Sequence, residues 1–458
     1  MIVEKEYLLR LVFWETTKGC NLRCIHCRAT ALDHMSPDDL STREGFDLLD
    51  QIRSFSKPII VLSGGEPLFR KDIFDIASYG TEKGLRMVLA TNGTMVTKEI
   101  AKKIVDSGIK RVSISIDGGK AGTHDDFRKI PGSFDEAMRG FSNLKELGMS
   151  LQINTTIAKH NYKELPEILD LALRLGVDAL HTFLLVPVGC GVDIAEDQMV
   201  PADEYEAILN WFYDRSKDVM IDLKATCAPH YFRVRAQRIL EEKKGGIKPQ
   251  PFVAPGTRLK AGHVDTITCE GIRGDGKVHN SSGLSAMTKG CLAGTGICFV
   301  SNKGDVYPCG YLPVTAGNVR TTPFEAIWRD SKLFANLRDP GLLTGKCGIC
   351  EYKYICEGCR ARAYAVTGDY LSEEPFCSFE PKGQAALHEV HQLHQEAEEE
   401  LPGLRMTWSD EAKTQLKKVP FFVRKKVAGR IEEFASSNNI DVIDPDVMSR
   451  ARAVGERG

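Results

Sequence analysis

The chain has 458 residues, a formal charge of -2, 42% hydrophobic and 27% charged residues and 14 cysteines. This is globular composition, long enough for two or three domains at ~150 residues each, and the balanced charge gives no electrostatic case for nucleic acid. Glu4, Lys5, Glu6 and Arg10 interrupt the N-terminal apolar run, so neither an export signal nor a membrane span is expected, and a cytoplasmic protein with reduced thiols is.

Between Leu9 and Pro187, six short apolar runs alternate with amphipathic stretches: LRLVFWETT, PIIVLSGG, LRMVLATNG, RVSISIDG, LQINTTI and ALHTFLLVP. Repeated strand-helix units predict a parallel sheet, here an α/β partial (β/α)6 TIM-like barrel over residues 1–240, with its site at the C-terminal ends of the strands. Two capping boxes, Ser41-x-x-Glu44 and Ser133-x-x-Glu136, mark helix starts, and TKEIAKKIVDSG ends on a glycine. A glycine- and proline-rich stretch over 241–290 reads as a linker or lid loop. A cysteine-rich domain over 291–395 follows, then an acidic linker and a small helical domain over 404–458 with apolar stripes on two helices.

Just after the first strand lies Cys20-Asn-Leu-Arg-Cys24-Ile-His-Cys27. Three thiolates suit a 4Fe-4S cluster with one open iron. A structural zinc would need a fourth closed ligand, and only His26 is offered locally. After the second strand comes Gly64-Gly65-Glu66-Pro67, where a side-chain-free turn lets backbone approach a ligand and Glu66 could accept from an ammonium. Together these motifs resemble the radical SAM superfamily. The resemblance implies S-adenosylmethionine (SAM) on the open iron, its methionyl amine at Gly64–Pro67, its adenine beside His26, and further contacts from Asn92, Ser115, Asp117 and Asn154. It also implies reductive cleavage of SAM to a 5'-deoxyadenosyl radical, with a reductant such as a flavodoxin or ferredoxin. An iron-sulfur electron carrier without catalysis is the reading from another class, and the Gly64–Pro67 motif speaks against it.

Eight of the fourteen cysteines fall late: Cys291, Cys298, Cys309, Cys347, Cys350, Cys356, Cys359 and Cys377. Their core, C-x2-C-x5-C-x2-C, fits a zinc ribbon as well as an iron-sulfur site on spacing alone. Behind a radical SAM barrel the layout resembles the SPASM extension, whose cysteines hold auxiliary 4Fe-4S clusters, one or two here, with the last core interval one residue shorter than usual. Cys190, Cys227 and Cys269 lie outside the array and read as free buried thiols.

Further phrases, among them WETTKGCNLRCIHCRA, HTFLLVPVG, LKATCAPHYFR and GKCGICEYKYICEGCRARAYAVTGDYL, resemble the radical SAM heme b synthases of the siroheme-dependent pathway. The implied substrate is a tetrapyrrole, iron-coproporphyrin III, two of whose propionates become vinyls. Didecarboxysiroheme deacetylases and peptide-modifying SPASM maturases share the layout. A tetracarboxylate calls for cations, and Lys224, His230, Arg233, Arg235, Arg360 and Arg362 are the candidates. His181, on an apolar strand, reads as a core histidine rather than an axial ligand to heme iron. The tail from Trp408 resembles the small helical domain ending one subunit of light-independent protochlorophyllide reductase.

Overall fold

In the computed structural model, residues 7–245 and 290–383 are described, together with 404–457 apart from 405, 418, 420 and 439. Residues 246–289 of the expected linker, Cys269 and the acidic run before 404 lie outside the described residues.

The six expected strands form: β1 (Leu11–Glu15), β2 (Ile59–Ser63), β3 (Arg86–Thr91), β4 (Val112–Ser115), β5 (Leu151–Ile157) and β6 (Ala179–Leu184). They pair in parallel and in sequence order. Helices α1 (Thr42–Phe55), α2 (Ile73–Glu82), α3 (Lys98–Asp106), α4 (Ala121–Arg128), α5 (Ser133–Glu146) and α6 (Leu165–Leu175) connect them. β1 reads LVFWE and is buried along nearly its whole length, as expected of a strand covered on both faces.

The sheet is larger than the apolar pattern predicts. After α7 (Ala195–Gln198) and α8 (Ala202–Asp218), β7 (Asp222–Thr226) pairs in parallel with β6, and α9 (His230–Lys244) follows. Its sequence, DLKAT, carries Asp222 and Lys224, which hid it from a search for apolar runs. On the other side, β8 (Ile297–Val300) pairs in parallel with β1, and β9 (Asp305–Tyr307) and β10 (Gly317–Asn318) extend the edge antiparallel. The ten strands run β10-β9-β8-β1 through β7. The cysteine-rich region is therefore stitched into the barrel's own sheet.

Ser41 caps α1 as expected: its Oγ accepts from the Glu44 N–H at 3.3 Å and the Glu44 carboxylate accepts from the Ser41 N–H at 2.8 Å. The second capping box does not form. Gly132 is the residue before α5, and Ser133 instead donates from Oγ to Asp125 Oδ1 at 2.8 Å. Asp125 also accepts from the Gly132 and Phe134 N–H groups, at 2.7 and 2.8 Å, so an acid eight residues upstream supplies the cap.

The tail has its own small core around Trp408, Leu416, Ile431 and Ile443. Three helices, Asp410–Lys417, Phe421–Ser437 and Pro445–Arg457, surround β11 (Thr407–Trp408) paired in parallel with β12 (Val442–Ile443). The strand pair and third helix go beyond the two helices expected. Among the described residues, no helix is long and apolar enough to cross a membrane.

Candidate active site

A cavity of about 460 Å³ opens at the C-terminal ends of the strands. Cys20, Cys24 and Cys27 line it together with Gly64, Gly65, Asn92, Ser115, Asp117, His26 and Asn154. The structure thus brings together nearly every residue singled out from the first two motifs.

The glycines are there for close approach. A Cβ on Gly65 would sit 2.4 Å from the Gly19 carbonyl oxygen, and one on Gly64 2.6 Å from that of Thr17. Gly64 also holds φ +153°, which L side chains rarely adopt. The two loops are laced by Gly65 N–H to Thr17 O and Glu66 N–H to Gly19 O, both 2.8 Å. What this motif presents to the cavity is its glycine backbone.

Glu66 departs from expectation. Its side chain is fully buried and outside the cavity lining, as is Pro67. The carboxylate accepts from Asn92 N–H at 2.7 Å, Thr91 Oγ1 at 2.7 Å and Leu68 N–H at 3.1 Å. Burial lifts this carboxyl above its ordinary value, against the pull of those donors. In the structure the Glu66 carboxylate thus faces the end of β3 and the start of the turn after Pro67, not the cavity. Asn92 passes the order on, donating from Nδ2 to Asn21 Oδ1 at 2.9 Å, inside the cysteine loop.

Asp117, fully buried, accepts from Arg128 Nε at 2.7 Å and Nη2 at 2.6 Å, from Thr156 N–H at 2.7 Å, and faces His26 Nε2 at 3.3 Å. Burial works to raise its pKa, but Arg128 and His26 hold the carboxyl well below the usual carboxylate range. The His26 ring stacks on Phe127 at 4.1 Å, and Phe127 on His160 at 4.9 Å. Burial lowers the His26 pKa against the pull of Asp117, and among the described residues its Nδ1 has no hydrogen-bond partner. Arg128 was not legible in the sequence: an arginine ending a short helix reads as solvated, whereas here it lines the cavity and acts electrostatically on Cys24 and Cys27.

Burial pushes the free Cys20 thiol up to about 11 and Cys24 up to about 12. Such thiols become thiolates at neutral pH only when a metal centre takes the place of the proton. Among the described residues, no three His, Cys, Asp or Glu side chains converge on a point that one metal ion would occupy. The three cysteines around an open cavity suit a cluster, whose ligands sit at separate corners.

The late cysteines fall into two groups. Cys291, Cys309 and Cys359 line the same cavity as the first motif, as does Cys227. Cys347, Cys350, Cys356 and Cys377 surround a second, smaller void. The short Cys356-x2-Cys359 interval is resolved by backbone: Glu357 and Gly358 hold φ +65° and +64°, and this reversal sends the two cysteines to different groups. Cys298, expected as a ligand, belongs to neither. It sits on β8 opposite Val12, fully buried, and is absent from both linings.

Of the six cations proposed for a tetracarboxylate, only Lys224 lines the main cavity. Arg233 is paired with Glu206 at 2.5 Å and donates to Cys377 Sγ at 3.9 Å. Arg360 donates to the carbonyls of Tyr370 and Ser372 and to Cys347 Sγ at 3.7 Å. Arg362 is paired with Glu374 at 3.0 Å. Arg235 is half-buried, and burial lowers its pKa against the influence of Tyr231 and Tyr213, while His230 faces the smaller void. Buried guanidinium groups here organise cysteines and chain reversals. His181 is a core residue as expected, its Nδ1 3.0 Å from Gln152 Nε2. Unforeseen lining cations are Arg128, Arg23, which donates to the Cys20 and Leu22 carbonyls at 3.1 and 3.0 Å, and Arg28, paired with Glu15 at 2.8 Å and lying over the Phe299 ring.

Residues 14–172 match the radical SAM superfamily, 291–360 an iron-sulfur cluster-binding domain, and 408–452 the proto-chlorophyllide reductase 57 kD subunit. Over 372 residues the chain is 50% identical to an AdoMet-dependent heme synthase of Methanosarcina barkeri, covering 81% of this chain and 97% of that protein. It is 32% identical to an Fe-coproporphyrin III synthase of the same organism, covering 80% and 87%. The fold is shared with Streptococcus suis SuiB bound to S-adenosylmethionine, at a TM-score of 0.58 and 16% identity, covering 81% and 78%. The protein is thus an enzyme that uses SAM and a 4Fe-4S cluster, with auxiliary iron-sulfur binding in its second cysteine region. By its sequence and the site built from it, the chain belongs to the AdoMet-dependent heme synthase family of radical SAM enzymes.

Proposed function

We propose that the chain converts two propionates of iron-coproporphyrin III to vinyl groups, giving heme b. The observation that carries this reading is the shared cavity: Cys20, Cys24 and Cys27 line it together with Cys291, Cys309 and Cys359, so a radical source and an electron acceptor face one volume. The higher identity to a heme synthase than to an Fe-coproporphyrin III synthase of the same organism supports it.

When bound, SAM and the clusters supply a 5'-deoxyadenosyl radical and a sink for one electron. Each propionate, –CH2–CH2–COO⁻, first gives up one hydrogen atom from the carbon next to the ring, forming 5'-deoxyadenosine. The resulting –CH•–CH2–COO⁻ loses carbon dioxide and one electron to become –CH=CH2. Atoms and charge balance only if the electron has an acceptor, which gives the second cysteine region its chemical role. A small electron carrier such as a flavodoxin or ferredoxin supplies the reducing electron that starts each cycle.

We assign Cys20, Cys24 and Cys27 to the SAM cluster, with Gly64, Gly65, Asn92, Ser115, Asp117, Asn154 and His26 around SAM. Cys291, Cys309 and Cys359 hold an inner auxiliary cluster and Cys347, Cys350, Cys356 and Cys377 an outer one. Lys224, whose pKa burial lowers against the opposing influence of Asp222 and Cys227, offers a cationic contact for a substrate carboxylate.

Anaerobic incubation with iron-coproporphyrin III, SAM and a reductant should yield a product lighter by two formic-acid equivalents. Intact iron-coproporphyrin III alongside turnover of didecarboxysiroheme would overturn the assignment.

A further inference from the structure

We propose that Cys227, at the end of β7, is the fourth ligand of the inner auxiliary cluster, which is then bound by four thiolates and presents no open iron to the substrate. The proposal rests on reading Cys291, Cys309 and Cys359 as its other ligands. The outer group has four cysteines of its own around the smaller void, whereas the inner group has three within the segment matched as iron-sulfur binding, 291–360. One corner of a four-iron cluster is left to fill.

Three further cysteines are near enough in the fold to be considered. Cys298 faces the core on β8 and does not reach the cavity. Cys190 lines the cavity, but its backbone N–H is bonded to Cys27 O at 2.8 Å and its Sγ to Ala29 O at 3.6 Å, which places it against the SAM-cluster loop. Cys227 lines the cavity too, and the thiols acting on it electrostatically are Cys359, Cys309 and Cys291, those of the inner group.

Its backbone points the same way. Cys227 holds φ +57°, a left-handed conformation that a β-carbon disfavours, and strained residues of this kind cluster at functional sites. The surroundings over-determine it. Arg362 Nη2 donates to the Cys227 carbonyl at 2.5 Å, Arg362 Nε donates to Glu374 Oε1 at 3.0 Å, and Glu374 Oε2 accepts from the Cys359 N–H at 2.8 Å. A buried, charge-assisted path thus fixes a barrel cysteine relative to a cysteine of the second domain. With all four corners bound, the inner cluster would offer an electron acceptor with no open iron for the substrate to coordinate.

The test uses the full chain with Cys20, Cys24 and Cys27 replaced by Ala, so that only auxiliary clusters report. After anaerobic reconstitution, Cys227→Ala should lower bound iron from about eight to about seven per chain and give the spectrum of a three-iron cluster on oxidation. Cys190→Ala and Cys298→Ala should keep the parent iron content. Cys227→Ser, which offers an oxygen ligand, should retain the irons but change the electron paramagnetic resonance spectrum, and it decides the matter if the alanine variant does not fold. Parent iron content and parent spectra in both Cys227 variants would overturn the proposal. Parent iron content in Cys309→Ala would overturn the reading on which it rests, and the proposal with it.

Discussion

Gly65 is the tightest point between the SAM motif and the cysteine loop. Replacing it by Ala places a methyl group 2.4 Å from Gly19 O and 2.8 Å from Lys18 O, where ordinary contact begins at 3.4 Å. The obstacles are backbone atoms, so no side chain can swing away, and the loop bearing Cys20 must retreat by about 1 Å in a close-packed interior. Both lacing bonds, Gly65 N–H to Thr17 O and Glu66 N–H to Gly19 O, lengthen with it. Overpacking of this kind costs about 1–3 kcal/mol of stability, and a misplacement of ~1 Å between reacting groups costs on the order of 100-fold in rate. Gly65→Ala is expected to keep its circular dichroism spectrum while 5'-deoxyadenosine formation, measured anaerobically with SAM and reductant, falls about 100-fold. Gly122→Ala, on α4 where a new Cβ meets nothing within 4 Å, is the control and should change the rate little. Wild-type SAM affinity and rate in Gly65→Ala would refute the close-approach argument.

Lys224→Met should raise the porphyrin Kd about 10-fold, or ~1.4 kcal/mol, in an absorbance titration; an unaltered Kd would remove Lys224 from the substrate wall. Cys298→Ala should retain full iron content while losing about 1 kcal/mol of stability for the buried thiol, and a loss of iron would place Cys298 among the ligands after all. His124 is buried and burial, then Arg128, pushes its pKa down to about 4. The unfolded chain therefore takes up this proton first, at about pH 6.5. Stability from the neutral ring is present above that pH and is lost progressively as the pH falls toward about 4. Between about pH 7.5 and about pH 5.5 the ring should account for ~1.4 kcal/mol, read as the difference in pH slope between the wild type and His124→Gln under denaturant; equal slopes would contradict the buried neutral ring.

Much of the site was legible because its chemistry is local in sequence. Cys20, Cys24 and Cys27 share one loop, Gly64 and Gly65 one turn, and the strand-helix alternation places both at the same end of the sheet. What escaped depends on partners distant along the chain. β7 is polar in sequence because Asp222 and Lys224 interrupt it, and only pairing with β6 reveals it as a strand. Spacing put Cys298 in the array and Cys227 outside it, yet strand register turns the first into the core and a left-handed turn held by Arg362 brings the second to the cavity. The arginines show the same limit: Arg233, Arg360 and Arg362 read as free cations, while burial has committed each to a carboxylate, a carbonyl or a cysteine sulfur. The sequence by itself pointed to the radical chemistry, through the family resemblance that its clustered thiols and glycines carry. Only the tertiary structure decided which cysteines meet and which charges remain for a substrate, because those are properties of packing between segments up to hundreds of residues apart.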